Sequence, residues 1–336
     1  MPNQLALLFV LLLAVIFLAV GETSLVLAIP VDAVWMYGFP AGWDNQTEVG
    51  FLSSLNINRV FLSMGNVLSH RKIDPASGSF DAAYTSRLTD FITLANASGI
   101  SVHAMTLEDP SFTLTANHAF GQGLIANILA YNTNHPTAAF DGVHLDTEPN
   151  DPQVWTGAPN DFNQLEGLMQ QYENLAMDVR TQIDAYENAG GHPVAFSATV
   201  AWWFNEHADI QMDLPHGDAV LLAQHLDVIV PLVFGGTGST AQEIIDRATD
   251  EILEAPTLIG IGSTDILTYS ERLAVINALN NQFVGQANYQ GTATFHYELL
   301  KEQFVQNTIP EPSALVLFGL GLLVILGFGW RRRTGG

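Results

Sequence analysis

Short runs rich in β-branched and aromatic residues recur along the chain. Each is followed by a polar loop and then by a stretch whose apolar positions fall at helical spacing. The runs predict eight strands, at 33–38, 59–64, 101–107, 142–147, 194–201, 227–234, 257–263 and 292–298. The clearest helical stretches lie between them, at 84–97, 160–189, 240–254 and 269–283. Strands alternating with helices argue for parallel βαβ units. Eight such units between Val34 and Glu298 fit a single-domain α/β fold, a (β/α)8 TIM barrel, whose usual size is about 250 residues. A doubly wound sheet is the structural alternative, though it seldom carries eight regular units. No glycine-rich phosphate fingerprint opens any of the helices, so nucleotide binding has no support and no cofactor is expected.

Two other apolar runs do not fit this rhythm, and they set the domain plan. Leu5–Val20 is apolar throughout and lies where a secretory signal belongs, with Val26-Leu27-Ala28 offering small-residue cleavage sites. At the other end, Ile309-Pro310-Glu311-Pro312 precedes a glycine-spaced apolar run that stops at Trp330-Arg331-Arg332-Arg333. The arginines belong on the cytoplasmic side of a membrane and the preceding chain outside. The order Pro-Glu-Pro, short apolar span, Arg cluster resembles the PEP-CTERM sorting signal. That resemblance implies a bacterial envelope protein, an exosortase that processes the tail, and transient membrane association through the C-terminal segment. The expected plan is a signal peptide over 1–28, a barrel over 29–307 and a sorting tail over 308–336.

Charge narrows the partners. The chain holds 34 acidic against 11 basic residues, a net charge of −23. Removing residues 1–28 and 313–336 takes away one acid, Glu22, and three bases, Arg331, Arg332 and Arg333, so the barrel is more acidic than the whole. Such a surface excludes a nucleic-acid partner, which needs clustered Lys and Arg. There is no cysteine, and hence no disulfide framework, thiolate nucleophile or Cys-ligated metal.

Candidate chemistry gathers where the predicted strands end. Barrel enzymes carry their active sites at the C-terminal ends of the strands. Here those ends hold Tyr37 and Trp43 after strand 1, Glu108 after strand 3, Asp146 and Glu148 on strand 4, Trp203 after strand 5, Asp265 after strand 7, and Tyr297 and Glu298 on strand 8. Acids for proton transfer and flat rings for stacking on pyranose faces describe a sugar-binding mouth. Within Phe140-Asp141-Gly142-Val143-His144-Leu145-Asp146-Thr147-Glu148, strand alternation turns His144, Asp146 and Glu148 to one inward face. Acids stacked on one buried face repel one another, so one carboxyl keeps its proton near neutral pH, as a general acid must.

This stretch resembles the active-site strand of glycoside hydrolase family 18, Asp-Gly-x-Asp-x-Asp-x-Glu on strand 4 of a (β/α)8 barrel. Asp141, Gly142, Asp146 and Glu148 match, and His144 replaces the middle Asp. The resemblance implies that Glu148 is the acid/base, with Asp146 assisting and Asp141 part of the catalytic set. It also implies a substrate N-acetyl group acting as internal nucleophile. His144 is expected behind the acids as their partner. The pattern departs on strand 6, which has no tyrosine at 230–234, and on strand 8, where Phe295-His296-Tyr297 stands in place of a tryptophan, so the sugar is left open. The expected function is a secreted O-glycoside hydrolase acting on an extracellular polysaccharide. Two alternatives stand beside it: a non-catalytic glycan-binding surface protein, and a metal-dependent hydrolase using His and carboxylate groups at the same rim.

Overall fold

The computed structural model describes residues 30–39, 42–64, 82–156, 162–202, 216, 219–233, 240–262 and 268–308. The expected signal peptide and the sorting tail beyond Thr308 lie outside the described residues. In chain order the elements are β1 (Val31–Met36), α1 (Asn45–Ser54), β2 (Arg59–Ser63), α2 (Ala82–Ala97), β3 (Ser101–Thr106), a 3-10 turn (Pro110–Thr113), α3 (Thr115–Asn134), β4 (Gly142–Leu145), α4 (Phe162–Asn188), β5 (Ala195–Ala201), α5 (Ala219–Leu222), β6 (Val228–Leu232), α6 (Ala241–Glu254), β7 (Thr257–Gly262), α7 (Tyr269–Phe283), β8 (Tyr289–Phe295) and α8 (Tyr297–Thr308). The strands form one closed parallel barrel in sequence order, with β8 returning to β1 through Val31↔Gly291 to Val34↔Thr294.

Strand alternation builds two cores. Val34, Met36, Val60, Leu62, Val102, Ala104, Val143 and Leu145 point outward and pack with helix residues such as Leu88, Phe91, Leu124 and Leu175. Their neighbours Ala33, Trp35, Phe61, Met105, Val230, Leu258 and Ala293 fill the barrel interior. Full burial of each large apolar side chain contributes about 1.5–3 kcal/mol before entropy is counted. Helix starts follow local chemistry. Thr240 and Glu243 form a capping box at α6, as do Thr268 and Glu271 at α7, and Asp44 caps α1 by accepting from the Thr47 N–H.

At the N-terminal end of the barrel, acids splice neighbouring elements. The Asp141 carboxylate accepts from the Val102 N–H at 2.8 Å, joining β3 to β4. Asp227 accepts from the Phe196 N–H and from Arg180, each at 2.7 Å. Asp32 accepts from Arg272 at 2.6 Å, tying β1 to α7.

The predicted strands lie on the observed ones, with one substantial shift. The eighth strand ends at Phe295, and Tyr297 opens α8, so the predicted strand residues 296–298 leave the sheet. The run of aromatics there reads as strand, but Tyr297 turns into the helical layer. It is buried to 1 % and its hydroxyl donates to Glu48, to which Lys301 also donates at 2.7 Å.

Candidate active site

β4 carries His144, and Asp146 and Glu148 follow just past its last residue, Leu145. His144 lies inside the barrel, fully buried, stacked on Phe61 with ring centres 4.0 Å apart and hydrogen-bonded through Nδ1 to Ser197 Oγ at 2.9 Å. Burial, together with the charge of Arg59, pushes its imidazole down to about 3. His144 is therefore neutral near pH 7, because an imidazolium has no solvation there. Its ring fills the interior space where a second acid would repel Asp146.

Two residues further along, burial pushes the Asp146 carboxyl up to about 8, helped by the charges of Glu108 and Glu148 and opposed by a hydrogen bond with Thr199. Glu148 is also raised, first by burial and then by Asp151. The phenol of Tyr37, past the end of β1, is raised by burial and then by Asp146, Glu108, Glu148 and Glu298. Four carboxylates from the ends of β3, β4 and β8 thus act on one hydroxyl. Tyr37 is 40 % exposed and packs edge-on to Phe295 and His296. Glu298 accepts from His296 at 2.9 Å; burial raises it, but that bond, with the nearby backbone and Lys301, holds it below the usual range.

Three contributors escape a reading of strand ends. Ser63, the last residue of β2, donates to Glu108 Oε1 at 2.6 Å. Thr199 on β5 faces Asp146. Tyr172, from α4, is buried and donates to the Thr199 carbonyl at 2.9 Å, beneath the acids. An inward hydroxyl at a strand's last alternate position was the available signal for Ser63. For Tyr172 no sequence signal separates it from core packing.

Several predicted residues lie elsewhere. Asp141 precedes β4 at the opposite end of the barrel from Glu148, and its carboxylate is engaged with the Val102 N–H, so it is a strand splice and not part of the mouth. Five residues of strand, at about 3.3 Å each, separate it from Asp146. Tyr297 is turned into the helical layer as described above. Trp43 packs among Phe39, Phe91 and Tyr297 and donates from Nε1 to Asn45 at 2.7 Å. Trp202 packs outward under Arg247 of α6, 5.2 Å from its ring centre. Trp203 and Asp265 lie outside the described residues. Among the described residues no three His, Asp or Glu side chains are grouped to hold a metal ion, and no helix is long and apolar enough to cross a membrane.

Residues 308–333 match the PEP-CTERM protein-sorting motif, which marks a bacterial protein exported and anchored or processed at the cell envelope. No curated protein matches the chain. Among solved structures, the chain is similar to a GH18 chitinase from Pseudoalteromonas aurantia, at 14% identity and TM-score 0.54, over 82% of this chain and 99% of that one. It is also similar to an exo-β-1,4-mannosidase from Opitutaceae bacterium strain TAV5, at 11% identity and TM-score 0.51, over 80% of this chain and 51% of that one. A GH5_18 protein from Bifidobacterium longum, in complex with Manβ1-4GlcNAc, aligns at 12% identity and TM-score 0.51, over 79% and 68%. At these identities the likeness is one of fold: a PEP-CTERM chain built on the closed eight-stranded barrel that glycoside hydrolases use.

Proposed function

We propose that the protein is an exported glycoside hydrolase acting on an extracellular polysaccharide, with Glu148 as the general acid. One observation carries the reading. At the C-terminal ends of the strands, carboxyl groups face one another in a half-buried mouth, and one of them, Asp146, is pushed up to about 8. A glycosidic oxygen needs a proton as its bond to the anomeric carbon breaks, and a carboxyl kept neutral near pH 7 can supply one. Glu148, raised and nearer the rim than Asp146, reaches the leaving oxygen. Asp146, held by Thr199 one step deeper, donates a hydrogen bond to the substrate or to a neighbouring carboxylate. Tyr37, with Trp203 and Asp265, holds the sugar ring. The sorting motif supports a substrate outside the cell.

The test is digestion of a polysaccharide panel by the chain, with release of reducing ends as the readout. Glu148→Gln is expected to lose about 10³-fold in kcat with glycan binding retained. Full activity in that variant refutes the assignment. Binding with no hydrolysis of any glycan by the unmodified chain favours a surface lectin.

A further inference from the structure

β3 ends irregularly, and the irregularity aims a side chain. Along β3, His103 and Met105 face inward while Val102 and Ala104 face the helices. Continued alternation would turn Leu107 into the barrel and Glu108 out. Leu107 instead has φ +56°, a left-handed backbone that a bulky non-glycine residue rarely adopts. Its side chain is fully buried against α3, close to Gly121, and its carbonyl accepts from Thr147 Oγ1 at 2.5 Å. The chain is thereby reversed by one position, and Glu108 enters the mouth, where Ser63 donates to Oε1 at 2.6 Å. Backbone strain of this kind costs on the order of 1–3 kcal/mol and gathers at functional sites, where the surroundings enforce it.

Resting on the glycosidase reading above, we infer that Glu108 is the second catalytic carboxylate, the base that takes a proton from the attacking water, so that the substrate needs no 2-acetamido group. Glycoside hydrolysis requires either a second carboxylate from the protein or help from an acetamido group on the sugar. Glu108 provides the first route. The Ser63 hydroxyl on Oε1 holds the carboxylate in place at the mouth. Tyr37 beside it is 40 % exposed, which leaves a path for water. In the step, Glu148 gives its proton to the glycosidic oxygen as the bond to the anomeric carbon breaks. The water oxygen bonds to that carbon from the opposite face, and the water proton passes to Glu108. Exchange with solvent restores both carboxyls. One water is consumed, no redox partner is needed, and the anomeric centre inverts.

The experiment uses the full chain and aryl glycosides in pairs that differ only in 2-hydroxyl or 2-acetamido. Expected is hydrolysis of a 2-hydroxyl member with inverted product by NMR, and a loss of about 10³-fold in kcat, with KM little changed, in Glu108→Gln. Added azide should restore turnover to Glu108→Ala with a glycosyl azide as product. Hydrolysis confined to 2-acetamido sugars, a retained product anomer, or Glu108→Gln within tenfold of the unmodified chain overturns the inference. If no glycoside of either kind is cleaved, the glycosidase reading fails and the inference falls with it.

Discussion

The two ends of the barrel use the same residue types in opposite ways. At the N-terminal end, Asp32, Asp141 and Asp227 each meet a donor: a guanidinium, a strand N–H, or both. At the mouth, Glu108 and Glu148 act on Asp146, and these three with Glu298 act on Tyr37, while Ser63 donates to Glu108 and His296 to Glu298. Paired acids hold strands together. Acids left facing one another raise the free energy of the ionised state, and a fold keeps such an arrangement where proton transfer is wanted. Burial raises Asp32 and Asp141 as well, so the contrast rests on the mutual charge around Asp146 and not on the direction of the shift.

The largest effect expected is at the mouth. Glu148→Gln should cost about 10³-fold in kcat, near 4 kcal/mol of barrier, while thermal unfolding shows no loss of stability. At the other end, Asp141→Ala strips the acceptor from the buried Val102 N–H and should lower unfolding free energy by about 1–3 kcal/mol in urea titration, with kcat unchanged. A stability loss in the first variant, or a kcat loss in the second, would break the comparison.

Titration sharpens it further. Asp146 holds its proton up to about 8 in the fold but only to about 4 when unfolded, so its share of stability falls as pH rises across that window. His144 takes its proton at about 6.5 when unfolded and only near 3 in the fold, so its share rises with pH between those values. From about pH 4 to 6.5 the two slopes oppose, each by up to about one proton. Relative to the unmodified chain, Asp146→Asn should therefore make the slope there more positive, and His144→Phe more negative, measured as urea midpoints against pH. The smallest effect expected is from Tyr37→Phe, which removes one hydroxyl at an exposed rim position. About tenfold or less in kcat/KM, with unchanged melting temperature, would fit a contact with substrate.

Most of this architecture is legible from period-two patterning. His144 is buried inside the barrel, as strand alternation demands, while Asp146 and Glu148 follow just past the last residue of β4, Leu145. Asp141 matches the motif letter by letter yet sits at the far end, because a motif read as a string ignores the length of the strand that carries it. The placement of Glu108 was not legible in mechanism, since it depends on a left-handed leucine that no local rule favours. Tyr297 misled for a related reason: an aromatic beside a strand end has the same composition whether it faces sugar or helix. The fold and the place of His144 follow from alternation, and the remainder depends on single backbone turns where alternation stops.

α8 clamps Tyr297 and Lys301 onto Glu48 of α1, and it ends at Thr308, the residue where the sorting motif begins. The address label is therefore stitched to the hem of the fold with no slack between them. A truncation that reaches back to Lys301 or Tyr297 would break that clamp and is expected to lower stability, whereas one confined to the motif leaves the clamp intact.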